Sequence, residues 1–110
     1  MPKLPIDYSK SVIYRIYCDD PEVKECYIGS TTNLTKRRCE HIHDCRDPSK
    51  KAYNRKLYQF IRNNGSFLKW NVVLEEDFPC ENNEQLRRRE TYWVKHYNAT
   101  LNSRMPVANI

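Results

Sequence analysis

No apolar run in this chain approaches the ~18 residues needed to cross a bilayer. The opening segment, MPKLPIDYSK, lacks the apolar core of a signal peptide. No C-x-x-C pair occurs, and the five cysteines (Cys18, Cys26, Cys39, Cys45, Cys80) are odd in number. These absences argue against a disulfide framework and for free thiols in a reducing, intracellular setting, with nucleus and cytoplasm not distinguished. Cys39, His41, His43 and Cys45 alternate, but residues two apart on a helix point in different directions. That cluster is therefore not read as a structural zinc site. Internal repeats and low-complexity linkers are also lacking. Hydrophobic residues are 39% of the 110 and mean hydropathy is −0.89, enough for one modest core and not for two domains.

What is present is aromatic and basic. Eight Tyr, three Phe and two Trp accompany 30% charged residues, and disordered chains rarely carry so many aromatics. Net charge is +5 and the isoelectric point is about 9.0, a balance that favours a polyanionic partner.

Residues 1–10 hold two of the six prolines and read as an arm, mobile at its start, before a domain spanning 11–110. A strand is expected over Ser11–Cys18. Val12, Tyr14, Ile16 and Cys18 share one face and Ile13, Arg15 and Tyr17 the other, so this strand is central. Asp19-Asp20-Pro21 is a turn signal, and Glu25–Ser30 returns as the partner of a hairpin. Gly29 marks a close approach or a bend. Ser30, Thr31, Thr32 and Asn33 are N-cap candidates for a helix reaching Asp44, with Leu34, Ile42 and Cys45 inward. A second helix is expected over Tyr53–Asn63, ended by Asn64-Gly65. A third strand over Leu68–Glu75 places Leu68, Trp70, Val72 and Leu74 on one face. The last helix, Glu84–Tyr97, carries Leu86, Glu90, Trp93 and Tyr97 on one stripe. The fold class is α+β: a three-stranded antiparallel sheet flanked by helices, in the order β-β-α-α-β-α.

Five polar side chains fall on these elements: Tyr14, Tyr27, Arg37, His41 and Glu90. Arg37 and His41 are four apart and stack on one helical face. Glu90 is a carboxylate inside an apolar stripe, where an unpaired charge is costly. Phosphodiester hydrolysis needs such groups: a carboxylate for Mg²⁺, an arginine for charge on phosphoryl oxygens, and a tyrosine or histidine to accept a proton from water. Singly, each has an ordinary structural reading, as core-edge tyrosine, solvated basic face or ion pair.

The ordered series decides between these readings. Val12-Ile13-Tyr14, Tyr27-Ile28-Gly29, the S-x-x-N-L-x-x-R-x-x-x-H run from Ser30 to His41, KLYQFIRNNG (56–65), RRETYWV (88–94) and Leu101-Asn102 together resemble the GIY-YIG nuclease family. The resemblance spans Ser11 to Asn102. The first motif departs from the family in having Val12 for glycine, at a position with no proton or metal role.

The resemblance implies a metal-dependent DNA endonuclease using Mg²⁺, with Mn²⁺ as a substitute, and one-metal in-line hydrolysis. By it, Tyr14 assisted by His41 is the general base, Tyr27 positions the water or phosphate, and Arg37 stabilises the transition state. Glu90 is the metal ligand, whose ion stabilises the leaving 3′-oxygen, and Asn102 is the late asparagine. The expected geometry is one groove lined by the two tyrosines, Arg37 and His41, with Glu90 on the opposite wall. Lys36, Arg38, Arg55, Lys56, Arg62 and Lys69 are candidate phosphate contacts. Substrate specificity would come from that basic surface or from a separate DNA-binding domain or partner. The alternative is an inactive nucleic-acid-binding module of the same fold.

Overall fold

Alternation in the first strand dictates the architecture. A computed structural model describes residues 5–102, so residues 1–4 of the expected arm and 103–110 of the expected domain lie outside the described residues. Strand β1 (Val12–Cys18) pairs antiparallel with both β2 (Cys26–Thr31) and β3 (Trp70–Asp77), giving the sheet order β2-β1-β3. The expected central strand is central, and both its faces are covered. Helices α1 (Leu34–Arg46) and α2 (Lys56–Asn63) cover the face bearing Tyr14, Ile16 and Cys18, where Cys45, Leu57, Tyr58, Ile61 and Trp70 complete one core cluster. Helix α3 (Asn83–Tyr97) covers the face bearing Ile13, Cys26 and Ile28 through Leu86 and Val94. The expected α+β class and element order are what the structure has.

Local signals explain most boundaries. Of the four cap candidates before α1, Asn33 is the cap, its side chain accepting from the Lys36 amide. Asn82 does the same for α3 through the Gln85 amide. Gly65 (φ 96°) ends α2, with the Ser66 amide donating to the Ile61 carbonyl at 2.9 Å.

Several boundaries differ from the sequence reading. Residues 51–54 form a separate 3-10 turn, because Arg55 is extended (ψ 147°) and α2 starts after it. Leu68 sits in another 3-10 turn before β3 and is 79% exposed. Leu74 is on the strand but 49% exposed, so neither joins the expected apolar face. A bulge accounts for the far end of β3. Tyr14 opposes Leu74 while Ile13 opposes Glu76, which leaves Glu75 unpaired. Glu75 binds Arg15, and Glu76 binds Arg89 of α3. On α3 the buried stripe runs through Leu86 and Val94, with Trp93 and Tyr97 only partly buried. Residues 8–10 of the expected arm form a short turn, and Tyr8 packs on the α3-side core.

Candidate active site

Gly29 on β2 lies directly opposite Tyr14 on β1. A Cβ there would stand 2.3 Å from both Cζ and Oη of Tyr14. Of the two sequence readings of Gly29, close approach is the correct one: the phenol lies over the glycine backbone of the edge strand. Tyr27, two residues earlier on β2, shares this face, with its ring centroid 6.3 Å from that of Tyr14 and 5.7 Å from that of His41.

His41 is as deeply enclosed as Tyr14. It is fully buried on α1, and its Nε2 lies 2.7 Å from the Tyr14 hydroxyl. Its Nδ1 lies 2.7 Å from the hydroxyl of Tyr58, a fully buried α2 residue. Burial, reinforced by the cations of Arg37 and Arg55, lowers the His41 pKa to about 3, so the ring is neutral. Burial also pushes Tyr58 up to about 12. Tyr58 is absent from the sequence-level site. Its signal is faint: a tyrosine between Leu57 and Ile61 on the inward face of α2 reads as packing.

Arg37 is half-buried on α1, one turn before His41. Burial opposes its charge, but Tyr14, Glu40 and Tyr27 outweigh that and raise its pKa further. One guanidinium nitrogen, Nη1, donates to Glu40 Oε1 at 3.3 Å, and the group also approaches the Tyr14 hydroxyl. Tyr14 itself is held well above the ordinary phenol range, first by burial, then by Tyr27 and Glu90, with Arg37 pulling the other way.

Glu90 arrives from the other side of the sheet. Its Oε1 accepts a 2.6 Å hydrogen bond from Ser30 Oγ, on β2 next to Gly29. Burial raises its pKa, only partly offset by Ser30 and Arg87. The preceding residue ties this part of α3 to the sheet: Arg89 donates from Nε and Nη2 to Glu76 on β3 at 2.6 and 2.7 Å, a bidentate clasp. The Tyr14 hydroxyl is thus the point on which Tyr27, Arg37, His41 and Glu90 all act. The expected single groove needs correction, because Tyr14 is 1% exposed and His41 is 0% exposed. They lie inside the fold, below the half-buried Tyr27, Arg37 and Glu90. Glu90 stays on the α3 side of the sheet, where it meets Ser30 beside Gly29, the residue with no side chain between it and Tyr14.

Among the described residues, no three His, Cys, Asp or Glu side chains gather as a ligand cluster. Glu90 is a lone carboxylate with one oxygen held by Ser30. That donor set fits a hard cation that keeps waters and takes phosphate oxygens, and it lacks the closed nitrogen and sulfur set of structural zinc.

Asn102 is bonded to the backbone of β2. Its Oδ1 accepts from the Ile28 amide at 3.0 Å and its Nδ2 donates to the Ile28 carbonyl at 2.8 Å. It acts as a one-residue strand on the free edge of β2.

The basic candidates separate. Lys36 and Arg37 share a groove of about 520 Å³ with Thr31, Thr32, Asn33 and Glu40. Arg55 is near enough to His41 to lower its pKa, and its guanidinium lies 5.8 Å from the Tyr58 ring centroid. Arg38 is exposed on α1. Lys56 Nζ donates to the Thr100 carbonyl at 2.7 Å. Arg62 gives Nη1 to the Cys45 carbonyl and Nη2 to the Tyr53 carbonyl, at 2.8 and 2.7 Å, and stacks 3.7 Å over the Tyr53 ring. It clips α1 to α2 instead of facing a phosphate. Lys69 lines a different pocket with Cys18, Asp19 and Asn64, at the hairpin-turn end of the sheet.

Compared with known proteins, residues 10–103 match the family model described as the GIY-YIG catalytic domain. No curated protein and no solved structure matches significantly.

Proposed function

Because the chain belongs to the GIY-YIG nuclease family, whose substrate is nucleic acid, we propose that it is a Mg²⁺-dependent endonuclease hydrolysing DNA phosphodiester bonds, with Mn²⁺ as a substitute. The observation that carries this is the convergence on the Tyr14 hydroxyl, bonded to His41 at 2.7 Å and acted on by Tyr27, Arg37 and Glu90.

Tyr14 is a neutral phenol here, since burial outweighs the pull of Arg37. It therefore works as a relay and not as a pre-formed phenolate. Its oxygen takes a proton from the attacking water while its own proton passes to His41 Nε2. Neutral His41 has a free lone pair for this at every pH above about 3. Arg37, beside that hydroxyl, neutralises charge developing on the phosphoryl oxygens. Tyr27, on the same face, orients the water or the phosphate. Glu90 would hold the metal, which supplies Lewis-acid stabilisation of the scissile phosphate and leaving oxygen in a one-metal scheme. Ser30 keeps the Glu90 carboxylate turned to that task.

The test is cleavage of supercoiled plasmid with Mg²⁺ or Mn²⁺ by the wild type, Tyr14→Phe and Glu90→Gln. Nicking by the wild type and a loss of roughly 100-fold or more in each variant is expected. If the wild type leaves plasmid, nicked, flap and branched DNA intact with either metal, the enzyme reading fails and the binding-module alternative stands.

A further inference from the structure

The catalytic reading uses His41 and Tyr14 but leaves Tyr58 without a task, although it is fully buried and bonded to the other nitrogen of the same imidazole. A neutral histidine has one N–H and one lone pair, so its two ring nitrogens cannot play the same role. Both sit 2.7 Å from a phenolic oxygen. Each phenol meets one imidazole nitrogen, and what distinguishes Tyr14 from Tyr58 is the second partner at its hydroxyl. The guanidinium of Arg37, against the Tyr14 hydroxyl, is a donor without acceptor capacity. Among the hydrogen-bond partners of the described residues, the acceptor Tyr14 meets is His41 Nε2. Nε2 then carries the lone pair, and Nδ1–H donates a hydrogen bond to the Tyr58 oxygen.

We infer that Tyr58 is a positioning residue: its hydroxyl oxygen accepts a hydrogen bond from the Nδ1–H of His41 and so holds the ring in the tautomer whose Nε2 lone pair faces Tyr14. The arrangement has the logic of a catalytic triad, with a hydroxyl to be deprotonated, a histidine, and a third group that fixes the tautomer. Here that third group is a phenol and not a carboxylate. Burial keeps both Tyr58 and His41 uncharged over the working range, so the contact is phenol to imidazole throughout. The fold makes the orienter rigid. Tyr58 is enclosed between Leu57 and Ile61 in the core cluster, and its ring centroid is 5.8 Å from that of His41.

This inference rests on the catalytic roles given to Tyr14 and His41, and its test separates the two. The chain has three histidines, so long-range ¹H–¹⁵N correlation of labelled protein resolves their rings, with His41→Gln identifying the signal of His41. The wild type is expected to show His41 protonated at Nδ1 and bare at Nε2. In Tyr58→Phe, which keeps the ring and removes the hydroxyl, the signal should move toward the Nε2–H form. In the same variant kcat for plasmid nicking should fall roughly 10- to 100-fold, as for other hydrogen-bonded partners of functional histidines, with KM within about twofold, since Tyr58 touches no substrate. An Nε2–H ring in the wild type, or a folded Tyr58→Phe with unchanged kcat, overturns the inference. The wild-type tautomer is read on the protein alone, so it decides even if Tyr58→Phe fails to fold. Failure of the catalytic reading looks different: Tyr14→Phe and His41→Gln would nick at the wild-type rate whatever the tautomer.

Discussion

A methyl group on residue 29 would meet Tyr14 Cζ and Oη at 2.3 Å, and the phenol has nowhere to retreat, being 1% exposed and bonded to His41. Gly29→Ala is therefore expected to destabilise the fold by about 1–3 kcal/mol, the usual range for overpacking. It should also lower nicking by displacing the Tyr14 hydroxyl; urea denaturation and a plasmid assay measure the two effects. His41 makes a pH prediction. Its pKa is near 6.5 unfolded and about 3 folded, so between those values the unfolded chain binds more protons. This contribution is complete above pH 6.5 and is lost as pH falls toward 3, on the order of 1 kcal/mol per pH unit where steepest. Urea midpoints from pH 7 to 4 should show that slope in the wild type and a shallower one in His41→Gln. An equal slope in both would show that His41 is not held neutral. At this scale the sequence is legible for residue identity only. Arg37 and His41 stand out by helical spacing and Glu90 by interrupting an apolar stripe. Tyr58 does not stand out, because a tyrosine beside leucine and isoleucine has the same pattern whether it packs or orients.

Among elements, β2 decides the site, since it carries Tyr27, Gly29 and Ser30 on the sheet edge. An edge strand presents unpaired amides and carbonyls, and the segment after α3 covers them. The Leu101 amide donates to the Cys26 carbonyl at 3.2 Å, and Asn102 binds both backbone groups of Ile28. Asn102→Ala should cost about 1–2 kcal/mol for two lost hydrogen bonds. Hydrogen exchange should speed up at Ile28 far more than at Ile16 on the central strand. Equal protection in variant and wild type would remove Asn102 from the support of β2. The hairpin, the helix stops and the central position of β1 follow from alternation and turn residues, and all are readable from sequence. The start of α2 and the face of β3 are not. The first depends on the extended backbone of Arg55, and the second on a bulge whose two carboxylates are drawn to Arg15 and Arg89.

Over the whole molecule, a net charge of +5 suits a nucleic-acid substrate, but the basic residues do not act as one set. Lys36 lines the groove beside Arg37, and Arg55 stands next to His41. Arg62 is committed to two carbonyls and a tyrosine ring. Titrations of DNA binding against salt should lose about one unit of slope in Lys36→Ala and in Arg55→Ala. Arg62→Ala should keep the wild-type slope and lose stability instead. A reduced slope in Arg62→Ala would return that residue to the interface.

Alternation and the ordered motif series were sufficient for an α+β fold of this strand and helix order and for the family, and they singled out Tyr14, Tyr27, Arg37, His41 and Glu90 as candidates. Those features depend on neighbours within a few residues or on an ordered series of motifs. Tertiary packing decided the rest. It made His41 neutral, put Tyr58 behind it, set Glu90 of α3 against Ser30 of β2, and turned Asn102 and Arg62 into structural clips. Proton affinity depends on burial by distant segments, and hydrogen-bond partners are chosen across the core, so neither is written in the local sequence.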